Sequence, residues 1–340
     1  MRVLLVKTSS MGDLIHVLPA LTDAGSALPD ISFDWLVEEN FTVIPAWHPL
    51  VKNVIPVALR RWRKNIFSAN TRAEWHLLRQ QLQQPYDLVL DAQGLMKSAL
   101  LTLFTKGTRV GLDWGSARER FAALCYQRTC QVNFYQHAVV RMRSLFSQAL
   151  GYALPDTPPD FGIPRQLFQT ASSAQQPEKY LVFLHGTTWV TKQWPESYWI
   201  TLAQTAAQAG YRIKISGGSA EELARAERIA AHCNVVDVLP DLRIADMPAL
   251  LVHAKAAIAV DTGFGHLAAA LGVPTVSLYS STDPAYTGAL GPISAHLSAH
   301  FPCAPCLSRT CTYRKPAVVF PACFETVPPE MVWAQVEKVL

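Results

Sequence analysis

The stretch from Lys255 to Pro284, KAAIAVDTGFGHLAAALGVPTVSLYSSTDP, constrains this chain more than any other. The apolar run Ala256 to Val260 predicts a buried strand, and Asp261-Thr262-Gly263-Phe264-Gly265 predicts a tight turn. His266 to Leu271 reads as a helix and Thr275 to Tyr279 as a second strand. A strand, a glycine-bearing turn, a helix and a strand in that order make the repeating unit of a parallel α/β sheet. Ligands of such sheets bind beyond the carboxyl ends of the strands, where a helix N-terminus offers unpaired N–H groups and a partial positive charge. Thr262 adds a hydroxyl, the two glycines let a phosphate approach the backbone, and Asp261 and His266 flank the turn. Taken alone, the turn is as well explained by a helix cap on Asp261 or Thr262.

At 340 residues the chain exceeds one ordinary core, so two α/β domains are expected. With 50% hydrophobic and 16% charged residues it is globular and lacks a disordered signature. A net charge of +4 selects no partner by itself. The apolar run in MRVLLVK is too short for a signal peptide before Lys7 interrupts it. The most apolar region, 256–279, carries Asp261 and His266, which argues against a membrane span. A cytoplasmic location is therefore expected. The seven cysteines are then expected to be reduced or metal-bound rather than disulfide-paired.

In chain order, residues 2–7 read as a strand, followed by the polar loop Thr8 to Asp13 and a helix from Leu14 to Ala24. Asp13 falls at the cap position of that helix. A carboxylate projecting from there could equally serve as a general base, with Lys7 and Ser10 as substrate contacts. Further strands are expected at Phe33–Val37, Val54–Val57 and Tyr86–Asp91. Between the last two lies Arg60-Arg61-Trp62-Arg63-Lys64, four cations around a tryptophan, which suits an anionic, amphipathic partner. One short run is a poor footprint for nucleic acid, which is not expected to bind. Thr71 and Glu74 have capping-box spacing for a helix reaching about Gln83. Asp91-Ala-Gln-Gly94 ends a strand, with Lys97 in the next helix, and 137–150 reads as an amphipathic helix.

From Leu154 to Lys179 the composition shifts to Pro, Gln, Ser and Thr, an interdomain linker. The second half opens as the first did, with strand Tyr180–Leu184 leading into HGTTWVTKQW and a helix after Pro195. Thr187, Thr188 and Lys192 suit a diphosphate, or belong to an ordinary surface loop. Ser219 and Glu222 fit a capping box, but a carboxylate at this sheet edge can instead take ribose hydroxyls. In the tail, Cys303, Cys306, Cys311 and Cys323 follow His296 and His300. Their spacing admits a structural zinc site closed by four thiolates, or plain packing of small side chains. Residues 328–340 read as an amphipathic helix.

Five segments, KTSSMGDLIHVLPAL, RRWRK, DAQGLMKS, HGTTWVTKQWPE and VDTGFGHLAAALGVPTVSLYSSTDP, agree in order and spacing with one family. Through about residue 290 the chain closely resembles the ADP-heptose:lipopolysaccharide heptosyltransferases of glycosyltransferase family nine, the type I members most closely. Its four-cysteine tail looks more like those of other members, including type II. The resemblance implies a GT-B fold, two Rossmann-like domains facing across a cleft: residues 1–153 for the acceptor, a linker at 154–179, residues 180–327 for the nucleotide sugar, and a helix at 328–340 returning to the first domain. It implies transfer of L-glycero-D-manno-heptose from ADP-heptose to the inner Kdo of Kdo-modified lipid A, with inversion, no required cofactor, and work on the cytoplasmic face of the inner membrane. On the matching positions, it implies that Asp13 is the base and that Thr187, Thr188 and Lys192 hold the diphosphate. Glu222 would bind ribose, while Asp261, Thr262, Gly263 and His266 would bind phosphates and heptose. Lys7, Ser10, Arg60, Arg61, Arg63, Lys64 and Lys97 would contact the acceptor. Type II transfer onto an acceptor already bearing heptose, a sugar-nucleotide epimerase and a non-catalytic nucleotide-sugar binder are the alternatives.

Overall fold

The computed structural model describes residues 1–169 and 179–340, which form two compact units, Met1–Pro164 and Arg165–Leu340. The first unit holds β1 (Arg2–Val6), β2 (Ser32–Glu38), β3 (Val51–Val57), β4 (Pro85–Asp91), β5 (Lys106–Leu112) and β6 (Arg128–Cys130). They pair, all parallel, in the order β3-β2-β1-β4-β5-β6. The second unit holds β7 (Tyr180–Leu184), β8 (Arg212–Ile215), β9 (Val236–Val238), β10 (Ala256–Val260), β11 (Thr275–Tyr279) and β12 (Ser294–Ser298). Their order, β12-β11-β10-β7-β8-β9, is the same pattern, also all parallel. Central strands buried on both faces, such as AAIAV in β10 and YLVFL in β7, are apolar throughout rather than alternating, as a sheet covered on both sides requires.

In each sheet the first strand lies between the second and the fourth. The chain therefore leaves its two neighbours in opposite directions, and a crevice opens at the carboxyl ends of β1/β4 and of β7/β10. The cores lie against the sheet faces. In the first unit Leu4, Val6, Leu36 and Val57 pack with Trp62, Leu78 and Leu82. In the second, Phe183, Ile258 and Val276 pack with Trp194, Trp199 and Val336. No helix of the described residues is long and apolar enough to cross a membrane.

Several boundaries differ from the sequence reading. The single helix expected at 14–24 is two, Met11–Ile15 and Leu18–Ala27. Ser10 is the first cap and Asp13 sits one turn inside, accepting from the Ser10 backbone N–H and hydroxyl at 2.8 Å each. The helix expected from His266 starts at Gly263, with Thr262 as its cap, so the two glycines belong to its first turn. Ser68, not Thr71, caps the helix Ala69–Leu82, by accepting from the Thr71 N–H.

The first unit runs eleven residues past the expected boundary at 153, to Pro164. Buried Arg143 donates to the carbonyls of Pro155 and Thr157, Phe161 is buried, and Gly162 presses on His48. A β-carbon at Gly162, whose φ is +61°, would stand 2.4 Å from His48 Nε2. Arg165 belongs to the second unit, bonding the carbonyls of Val252 and Gly272. The expected linker is therefore packed over its first half, while its residues 170–178 lie outside the described residues. The terminal helix, Pro329–Val339, was expected to return to the first domain. It packs instead in the second unit, burying Val332 and Val336 in that core, because its apolar stripe matches the helix Glu196–Gln208 and the sheet beside it.

Arg143 and Asp23 form a buried ion pair at 2.6 Å, each side chain 8% exposed. Removing one partner from such a pair leaves an uncompensated buried charge. Asp23→Ala is expected to lower the unfolding free energy by about 3–5 kcal/mol in denaturant titrations. A loss below about 1 kcal/mol, the size of an exposed pair, would mean that water reaches Arg143.

Candidate functional site

In the first unit the crevice residues come from the loops after β1 and β4. Gln93 joins these loops, its side-chain oxygen accepting from the backbone N–H of Thr8 at 2.9 Å and of Ser9 at 3.1 Å. Asp91, fully buried, accepts from Gln93 N–H at 2.7 Å and from the Tyr126 hydroxyl at 2.8 Å. Burial pushes its carboxyl up, against these donors.

Lys7, expected to touch the acceptor, is only 6% exposed and donates to the Ala92 carbonyl at 2.9 Å. Burial lowers its pKa, and the nearby charges of Asp13 and Asp91 oppose that. Its part is electrostatic, acting on Asp13. Burial alone would push the Asp13 carboxyl up, but Lys7, the two Ser10 donors and His16 hold it below its ordinary value. Asp13 is thus an ionised, partly exposed carboxylate at neutral pH.

Two further cations act on the pair Asp13 and Lys7. Arg141 sits within the helix Ala138–Leu150, its charge reaching both Asp13 and Lys7, while its Nε–H is buried without an acceptor among the described residues. The charge of Arg118 also reaches Lys7. A lone arginine in an amphipathic helix carries no signal in sequence. Gln93 lay in plain view within the DAQG segment.

The basic run folds differently from its sequence reading. Trp62 is buried, 8% exposed, against Trp75, and donates to Glu74 Oε2 at 2.5 Å. Arg61 is held by Glu39 and Glu74 at 3.0 Å each, and the backbone N–H of Arg60 bonds Glu38. Glu74, read as a capping residue, is instead an anchor for this turn. Arg63 and Lys64 are exposed, as is Lys97 in the helix Met96–Thr102. Beside them stand two exposed apolar side chains, Ile66 at 59% and Phe67 at 90%.

In the second unit the loops after β7 and β10 meet through an ion pair. Lys192 Nζ lies 2.6 Å from Asp261 Oδ2, which also accepts from the Thr282 hydroxyl at 2.6 Å. His266 Nε2 is 3.9 Å from Asp261 Oδ1, and the Thr187 hydroxyl donates to the Asp261 carbonyl at 3.4 Å. Burial would raise the Asp261 carboxyl, but His266, Lys192 and Thr282 outweigh it and hold it below the usual carboxylate range. Lys192 also lies over the Trp189 ring at 4.5 Å. The N-terminus of the helix Gly263–Ala270 opens beside this cluster, capped by Thr262, which makes no side-chain cap bond. Unpaired N–H groups, a lysine and hydroxyls around one crevice suit a diphosphate.

Glu222 closes the turn before its helix and reaches the neighbouring loop. Its backbone N–H bonds the Ser219 hydroxyl, while its carboxylate accepts from Gly218 N–H at 2.9 Å and lies over Gly186. A β-carbon on Gly186 would stand 2.7 Å from Glu222 Oε1, so this carboxylate reaches the loop that carries Thr187 and Thr188. Thr282, in the SSTDP end of the signature, is a further contact that the sequence reading passed over. Among the described residues no group of three or more His, Cys, Asp or Glu stands ready to hold a metal ion.

The chain is similar to known proteins of one family. The family described as glycosyltransferase family 9 (heptosyltransferase) matches residues 75–317. The chain is 52% identical to lipopolysaccharide heptosyltransferase 1 of Pseudomonas aeruginosa, over 100% of this chain and 98% of that protein. It is 49% identical to the Escherichia coli K12 protein of the same description, over 86% and 91%. Among solved structures, E. coli heptosyltransferase WaaC with ADP superposes with a TM-score of 0.89 at 42% identity, covering 100% of both chains. E. coli heptosyltransferase II shares the fold at 19% identity and a TM-score of 0.74.

His185 follows β7, just before the loop that carries Thr187 and Lys192, fully buried, with Nε2 3.0 Å from the Ser216 carbonyl and Nδ1 unpartnered among the described residues. Burial lowers its pKa from 6.5 to about 4. Below pH 6.5 the unfolded chain takes up a proton that the folded chain refuses. Stability is therefore complete above 6.5 and falls as pH drops toward 4, by at most about 1.4 kcal/mol per pH unit. His48 in the first unit, also lowered to about 4 by burial, adds a similar slope. In denaturation curves between pH 6.5 and 4, His185→Gln is expected to flatten the second unit's share of this loss; an unchanged slope would show that His185 titrates normally.

Proposed function

Because the chain belongs to glycosyltransferase family 9, the heptosyltransferases, we propose that it moves L-glycero-D-manno-heptose from ADP-heptose to the inner Kdo of Kdo-modified lipid A. The observation that carries this reading is an ionised carboxylate at one switch point, Asp13, and a lysine-based anion site at the other, Lys192. The full-length likeness to lipopolysaccharide heptosyltransferase 1 and to WaaC with ADP supports the choice of sugar, donor and acceptor.

Asp13 takes the proton of an acceptor hydroxyl as its oxygen attacks the anomeric carbon. The bond from that carbon to the phosphate oxygen breaks on the opposite face, so the configuration inverts and the electron pair leaves with ADP. A carboxylate held below its ordinary value is a weak base toward a resting hydroxyl. Proton transfer therefore runs with attack, when the hydroxyl has become acidic. Lys192 has three N–H donors, of which Asp261 engages one, leaving others for the departing diphosphate. Thr187, Thr188 and the helix N-terminus at Thr262 and Gly263 add donors where negative charge builds. Asp261 would repel phosphate if unpaired. Held by Lys192 and Thr282, it is suited to heptose hydroxyls, with His266 beside it. Glu222, reaching the same loop, is placed for ribose.

The acceptor reading rests on cations. Arg141 acts on Asp13 and Arg118 on the neighbouring Lys7, and both suit the carboxylate of Kdo. Arg63 and Lys64, next to exposed Ile66 and Phe67, suit the phosphates and apolar surface of a lipid-bound acceptor at the inner membrane. Arg61, spent on Glu39 and Glu74, holds this turn together, and buried Lys7 tunes Asp13.

The direct test supplies purified protein with ADP-heptose and lipid A carrying Kdo, or Kdo plus one heptose. ADP release with heptosylation of the first acceptor is expected; transfer only to the second would reassign the acceptor, and isomerised donor would indicate an epimerase. Asp13→Asn keeps an oxygen for the Ser10 N–H but cannot take a proton. Turnover is expected to fall by roughly two to four orders of magnitude with donor affinity unchanged. Near-normal turnover would reduce Asp13 to a helix cap.

Arg63→Ala with Lys64→Ala is expected to raise the acceptor KM and to weaken its rise with salt, leaving the donor KM alone. Arg61→Ala should instead lower the melting temperature. Equal effects of both changes on both substrates would sink the division of labour.

A further inference from the structure

The segment after β12 is left over by the reaction. Residues 301–320 contain no helix or strand and are mostly exposed, an arrangement with little core to order it. Yet Cys303, Cys306, Cys311 and Cys323 line one cavity with Phe301 and Tyr313. The last of these comes from the turn Ala322–Thr326, beyond the irregular stretch, so the fold brings it back to the other three. The cavity measures about 20 Å³, room for one water-sized or ion-sized occupant.

We propose that these four cysteines bind one zinc ion as thiolates, a tetrahedral structural site that staples the segment to the second unit. The sulfurs do not yet stand as a closed ligand set, so coordination draws them inward onto the cavity, each thiol yielding its proton to solvent. Soft thiolates select zinc among the common divalent ions, while Arg309, Arg314 and Lys315 in the same segment offset the excess negative charge. All seven cysteines are free of disulfides, and the other three, Cys125, Cys130 and Cys233, are buried elsewhere.

The staple also bears on the proposed diphosphate loop. The Thr191 hydroxyl donates to the Ser308 carbonyl at 2.6 Å, the Leu307 N–H to the Ser281 carbonyl at 2.8 Å, and Arg309 lies 5.3 Å from the centre of the Trp189 ring. Thr191 precedes Lys192, and Trp189 underlies it. Removing the ion should therefore loosen Lys192. That consequence rests on the proposed donor site, but the presence of the ion does not.

Metal analysis of untagged protein, purified with reductant and without chelator, tests the site. About one zinc per chain is expected, lost in Cys306→Ser and Cys323→Ser and kept in Cys233→Ser. Should the serine variants fail to fold, the wild type still answers. A mercurial thiol reagent should release its zinc, and cobalt exchanged in its place should show thiolate-to-cobalt charge transfer and intense tetrahedral bands. Metal-free protein that takes up neither micromolar zinc nor cobalt overturns the proposal, and so does a mass showing these cysteines joined as disulfides. Weaker ADP binding in zinc-stripped protein would support the link to Lys192; unchanged ADP binding would overturn that link and leave the zinc site standing.

Discussion

The divergence of the chain at the centre of each sheet is the constraint on which the rest depends. With the first strand held between the second and the fourth, the loops leaving β1 and β4, or β7 and β10, separate and leave their backbone N–H groups without strand partners. One polar link closes each gap. Gln93 does so in the first unit by accepting two N–H groups, and the Lys192–Asp261 pair does so in the second. These links hold the loops open at a fixed width, which is what a site for polar substrates needs.

The same topology yields different electrostatics in the two units because the residues above the strands differ. In the first, Lys7 is buried and unavailable to ligand, so its charge acts through Asp13 and keeps that carboxylate ionised against desolvation. In the second, Lys192 is partly exposed and shares its charge between Asp261 and the open crevice. One unit thus presents an ionised carboxylate and the other a lysine paired with a carboxylate.

The outer parts support these loops. Trp194, buried just after the loop that carries Lys192, donates to the Val327 carbonyl at 3.0 Å and so ties that loop to the chain entering the terminal helix. This is also why the terminal helix stays with the second unit. The cysteine segment lies between these anchors, leaning on Thr191 and Trp189.

The sequence by itself determined the α/β class, the doubling of the fold and the crevice loops. Apolar runs such as AAIAV, ending in glycine- and hydroxyl-rich turns, can satisfy their backbone in few ways other than a parallel sheet. It also carried the family. Only the tertiary structure decided which charges remain for ligands. Arg61 and Lys7 look like surface cations in one dimension, but Glu39 and Glu74 claim the first and burial claims the second. Arg141, silent within a helix, approaches Asp13 from more than a hundred residues away. Trp62 faces inward, and the four cysteines line one cavity only because the turn at Cys323 folds back on them. Partner choice of this kind depends on distance and desolvation between segments remote in the chain, and local spacing does not encode either.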